Sequence, residues 1–184
     1  MNFIFLFLLC FAYIWFVLDK LICCEKEVNK SWKKIFVQIQ RRLDFAEDIV
    51  NIFINFKDKF KNKIVFDDFN NIKRSFNNLV NDRNQIMKIN KQLCYILTTI
   101  FRESENIYEL KNNIRLKELK YNIVRTEDKI IYEQQFFNAN IKRFNETRNF
   151  FPNNLYINLF KSFKLKKFFN ADEFERSLPK SEEN

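Results

Sequence analysis

IRLKELKYNIVRTEDKIIYEQQFFNANIKRFNETRNF, residues 114–150, decides the fold class of this chain. Leu116, Leu119, Ile123, Ile130, Phe137, Ile141 and Phe144 recur at spacings of three, four and seven, and Phe151 extends the series. Positions so spaced share one face of an α-helix, so the stretch predicts a long amphipathic helix with a heptad-like seam. Asn113 stands where a side-chain oxygen can cap the first free backbone amides. Pro152 disfavours the helical region for Phe151 and predicts the end of the element.

The same rhythm runs upstream. Residues 26–60 carry Val28, Trp32, Ile35, Ile39, Ala46, Ile49 and Phe53 at helical spacing. A boundary is expected within residues 57–67, with Asp67 and Asp68 as N-caps of a second helix. That helix runs through Phe69, Ile72, Phe76 and Val80 to about residue 82, and residues 81–84 (NDRN) form a turn candidate. A third helix is predicted over about 85–106, using Ile86, Ile89, Leu93, Leu97 and Ile100. Four amphipathic helices joined by short connections predict an all-α, antiparallel up-and-down four-helix bundle.

Composition narrows the chemistry. The 184 residues include no Gly, no His, two Pro and 24 Phe. Phosphate-cradling loops and dinucleotide fingerprints need Gly where backbone approaches phosphate, so neither is available. Without His there is no Ser-His-Asp triad and no His-ligated zinc. Carboxylate pairs such as Asp67-Asp68 and Glu182-Glu183 converge with nothing and read as caps or solvated ends. No enzyme activity, cofactor or metal is therefore expected. Cys10, Cys23, Cys24 and Cys94 imply no disulfide framework. A net charge of +9 suits an acidic partner or an anionic membrane surface.

Residues 1–18, MNFIFLFLLCFAYIWFVL, hold a single polar residue, Asn2, and no charged side chain. As a helix they span roughly 27 Å, just enough for a hydrocarbon core. Tyr13 and Trp15 lie near the far end, where amphipathic rings favour the interface, and Asp19-Lys20 marks the exit. A cleaved signal peptide would want a basic start and small residues at its cleavage site. A lipoprotein would want a small residue before Cys23 or Cys24, either of which is also open to palmitoylation. An uncleaved single-pass anchor is therefore the favoured reading. Lys20, Lys26, Lys30, Lys33 and Lys34 follow the anchor and none precedes it, which predicts a cytoplasmic domain.

The order of motifs in the rest of the chain resembles the LemA family. Residues 28–50, VNKSWKKIFVQIQRRLDFAEDIV, are similar to that family's first bundle helix. The resemblance continues through Leu110-Lys111-x-Asn113, Leu119, Thr126-Glu127-x-x-Ile130, Asn138, Asn145 and Phe151-Pro152-x-Asn154-Leu155. It extends along the tail through Leu159-Phe160, Phe163, Phe168-Phe169-x-Ala171, Glu173, Arg176 and Pro179-Lys180. Residues 57–100 match poorly. Ala46-Glu47-Asp48 replaces the family's Ile-Pro-Asn, so the kink a proline would bring is not expected. Tyr108 stands where the family has Pro, and Asn55, Arg125 and Lys161 stand at its Gly positions. The resemblance implies a membrane-anchored bundle of a kind found in bacterial membranes, with no common catalytic activity. The organisation expected is an anchor at 1–18, a LemA-like bundle at 19–151 and an ordered tail at 152–184 that packs on the bundle.

Two constellations stand out. Arg42 falls between Ile39 and Ala46 on one apolar stripe, and Glu127 between Ile123 and Ile130 on another. An unpaired charge in a core is costly, which suggests a buried ion pair that fixes bundle register. The alternative sends each side chain to the bundle edge or to a separate partner, Asp44 being available to Arg41. The second constellation is Lys161, Phe163, Lys164, Lys166 and Lys167, basic and aromatic residues interleaved. Packing of its phenylalanines on the bundle is favoured. Contact with anionic lipid comes second, and single-stranded nucleic acid last. Asn138 and Asn145, two turns apart on one helical face, are expected to hydrogen-bond between helices.

The function expected is a non-enzymatic, membrane-tethered scaffold or recruiter of other proteins. The alternative is a membrane-surface organiser acting through the basic-aromatic tail.

Overall fold

A computed structural model describes residues 2–56, 64–78, 82–157 and 163–169. Its elements are all helical: α1 (Asn2–Ile54), α2 (Ile64–Asn78), α3 (Arg83–Ser104), α4 (Tyr108–Lys111), α5 (Ile114–Asn149) and α6 (Asn153–Tyr156). The described residues fall into two compact units.

The first unit comprises residues 2–34 of α1 with residues 132–157 and 163–169. Val17, Leu21, Cys24, Val28 and Trp32 form its buried stripe on α1, and Phe137, Ile141 and Phe144 the stripe on α5. The helices run antiparallel, since Tyr13 meets Asn153 while Ser31 meets Asn140. The extended segment 163–169 lies along α5, and Phe169 packs against Trp32 and Phe137 with ring centroids 5.6 and 5.0 Å away.

The second unit comprises residues 35–131. The remainder of α1, α2, α3 and the first half of α5 form a four-helix bundle there. Ile35, Ile39, Ile49, Phe53, Phe69, Ile86, Leu93, Leu97, Leu119 and Ile123 are all buried in its core. Phe36 stacks on Phe76 at 5.3 Å, joining α1 to α2. Asp82 caps α3, its Oδ1 accepting from the amides of Asn84 and Gln85 at 3.0 and 3.2 Å. Asn113 caps α5 in the same way, accepting from Leu116 N at 3.0 Å.

Several expectations need correction. At Asp19-Lys20, read above as the exit of the anchor, α1 continues as one helix, and the stripe of Val17, Leu21, Cys24 and Val28 carries straight through it with neither Gly nor Pro to interrupt. Asp67 and Asp68 do not cap α2, which begins at Ile64 and buries Val65 and Phe66 in its first turn. Phe151 is exposed beyond the end of α5 and does not continue the buried seam. The first helix ends at Ile54, short of residue 60, with Asn55 and Phe56 in a turn, and the end of the second helix near Val80 lies outside the described residues. Across Ala46-Glu47-Asp48, α1 remains helical.

Candidate functional site

Three places on the molecule concentrate polar or apolar chemistry. The first is the start of α1. Phe3, Ile4, Phe5, Leu6, Phe7, Leu8, Leu9, Phe11, Trp15 and Phe16 are all exposed. In water so large an apolar patch is an association liability; such a surface marks contact with lipid or with a partner. Among the described residues α1 is the one helix long and apolar enough to cross a membrane. Cys10 and Cys23 are exposed thiols on it, while Cys24 is buried.

A polar knot ties the apolar start of α1 to the far end of α5. Asn153, buried on α6, accepts through Oδ1 from the Tyr13 hydroxyl at 3.0 Å and the Tyr156 hydroxyl at 3.1 Å. Its Nδ2 donates to Thr147 O at 2.8 Å, so both ends of the amide are used. Burial, and secondarily the neighbouring Tyr13 phenol, push the Tyr156 hydroxyl above its ordinary pKa. Sequence reading missed Asn153, and no local signal marks it: the residue sits in a short irregular corner, and its partner is 140 positions away.

The second place is the strap formed by residues 163–169. Asn145 receives the amide of Lys166 on Oδ1 at 3.0 Å and donates from Nδ2 to its carbonyl at 2.9 Å. Asn138 does the same for Phe169, at 3.0 and 2.8 Å. The register closes because seven helical residues rise about 10.5 Å and three extended residues cover about 10 Å. These asparagines therefore replace a missing neighbouring strand and do not bridge helices as expected from the sequence. Arg148 Nε donates to Phe163 O at 2.7 Å. Phe163 is buried, and Lys166 pairs with Glu25 at 2.6 Å while lying over the Phe144 ring. Lys164 and Lys167 are exposed. Lys161 lies outside the described residues.

The third place is at the centre of the four-helix unit. The Arg42 side chain is 0% exposed and that of Glu127 5%, and Nη2 lies 3.2 Å from Oε2. Nη1 reaches Asn90 Oδ1 on α3 at 3.5 Å, the long limit of a hydrogen bond. Among the described residues Nε has no hydrogen-bond partner. One guanidinium thus touches three helices: its own α1, α3 through Asn90 and α5 through Glu127. Asn90, also buried, is a member that periodicity hides, since it sits beside Ile89 on the α3 apolar face. Between α2 and α3 an open groove of about 640 Å³ is lined by Asp68, Ile72, Lys91 and Tyr95 among others. Among the described residues no group of His, Cys, Asp and Glu is arranged to hold a metal ion.

No curated protein matches the chain. A family model does: that of the LemA family matches residues 31–182, from Ser31, immediately before Trp32 on α1, through the strap and beyond. The match takes in the Arg42–Glu127 centre and both strap asparagines, and it covers most of the chain, which therefore belongs to the LemA family.

Proposed function

We propose that this LemA-family chain is a non-catalytic membrane-tethered bundle that recruits or organises other proteins at the bilayer. The observation that carries this reading is the exposed apolar length of α1, residues 3–16, on the same unbroken helix that supplies Ile35, Ile39, Ile49 and Phe53 to the four-helix unit. A helix that is apolar on all sides belongs in lipid, and the residues that follow it build a folded helical surface. The lysines at 20, 26, 30, 33 and 34 favour a cytoplasmic location for that surface. The α2–α3 groove, with exposed Tyr95 in its wall, is the concave face offered to a partner.

The test is photocrosslinking in cells from Tyr95 in the full chain. The reading expects a captured set distinct from that of an unrelated bundle on the same anchor. Identical sets would refute recruitment. The second reading, lipid contact through the tail, draws support from exposed Lys164, Leu165, Lys167 and Phe168. Against it, Phe163, Lys166 and Phe169 are committed to α1 and α5. Flotation of a chain lacking residues 1–24 with anionic vesicles would favour that second reading.

A further inference from the structure

We propose that the corner between α5 and α6, residues 150–155, is a second lipid-contacting element, a foot that enters the boundary between headgroups and acyl chains beside α1. The inference rests on the reading of residues 3–18 as a membrane span and adds to it a site that the anchor alone does not require.

Depth is the argument. A bilayer core about 30 Å thick takes about 20 helical residues to cross, and the apolar run ends at Leu18, before Asp19 and Lys20. No length is spare, so the whole run is drawn into the membrane. Tyr13 precedes Asp19 by six residues, which places it roughly 9 Å deeper along the helix axis. Helical side chains tilt toward the N-terminus, so its hydroxyl lies no shallower than its backbone. That hydroxyl is bonded to Asn153 at 3.0 Å. The first turn of α6 is therefore held below the level of the first charged residues, at the depth where in-plane elements bury an apolar face roughly 5–10 Å into the interface.

The side chains suit that depth. Phe150, Phe151 and Leu155 are 69%, 69% and 68% exposed; between them Asn153 turns to Tyr13, and the exposed Asn154 is the polar side chain that meets the headgroups. Phe150 also shares a groove with Tyr13, Phe16 and Val17, so the foot is continuous with the apolar surface of α1. Lys20 lines the same groove at the headgroup level. The Tyr13–Asn153–Tyr156 knot explains why a phenol and an amide are tolerated there: each satisfies the other out of water.

The experiment uses the full chain in vesicles of phosphatidylcholine and phosphatidylglycerol, with benzoylphenylalanine in place of Phe7, Phe151 or Tyr132, one at a time. Tyr132 is an exposed aromatic on α5 far along the helix from the corner. Lipid adducts at positions 7 and 151, and none at 132, are expected. Adducts at 7 with none at 151 overturn the foot and leave the span intact, as does a crosslink from 151 to a second copy of the chain. Absence of adducts at 7 overturns the span reading itself, and the foot falls with it.

Discussion

Replacing Glu127 by Gln removes the charge that faces Arg42 while keeping nearly the same volume. At 3.2 Å and an effective dielectric of about 20, the lost Coulomb attraction is about 5 kcal/mol. The amide oxygen of Gln still accepts a hydrogen bond, which returns part of that. The remainder, a buried guanidinium without its counter-charge, costs about 3 kcal/mol, the lower end for breaking a buried pair. For a chain of this size that corresponds to a fall in Tm of roughly 6–12 °C. Thermal unfolding of the full chain in detergent, followed by circular dichroism, measures it. The companion variant, Arg42→Met with Glu127→Leu, removes both charges and both desolvation penalties. It is expected to match the parent or exceed it by about 1–4 kcal/mol, because apolar replacements of buried ion pairs often do. A Glu127→Gln protein that melts with the parent refutes the reasoning, and so does a double variant as unstable as the single one.

Three further outcomes follow from the geometry. Asn145→Ala strands the Lys166 amide and carbonyl, costs about 1–2 kcal/mol, and is expected to release amide-exchange protection at Lys166 and Phe169 while the four-helix core keeps its own. Asp82→Ala removes the acceptor for two α3 amides and is expected to lower stability by about 1 kcal/mol in urea unfolding. Because the folded-state pKa of Tyr156 is raised, its contribution is complete below the ordinary tyrosine pKa and is lost as pH rises through the folded value. Ultraviolet titration is expected to lose its late-ionising phenol in Tyr156→Phe, and retention of that component contradicts the assignment.

The helices were legible in the sequence wherever one face is apolar and the spacing regular. Leu116 through Phe144 on α5, Val28 through Phe53 on α1 and Ile86 through Ile100 on α3 are all buried as the spacing implies. Arg42 and Glu127 could be singled out because a charge interrupting such a stripe is conspicuous, but the helix offset that brings them to 3.2 Å comes only from packing. Helix starts were less legible. Two aspartates at 67 and 68 suggest a cap, yet Ile64, Val65 and Phe66 are already helical, with Val65 and Phe66 buried, so both aspartates sit inside the helix.

The least legible feature was the strap. An extended segment bonded by side-chain amides has no hydrophobic period, and nothing local says that Asn138 and Asn145 face the backbones of Phe169 and Lys166. The Asn153 knot was hidden for the same reason. Its partners, Tyr13 and Tyr156, belong to an anchor pattern and to a short corner, and each pattern explains its own tyrosine without the other.

Residence in the bilayer through residues 3–18 underlies the whole account, and alkaline carbonate extraction of membranes carrying the full chain tests it most directly. The protein is expected to stay in the membrane pellet, as an integral helix does. Intact protein released to the supernatant would mean that the exposed phenylalanines and leucines of α1 are covered by something other than lipid.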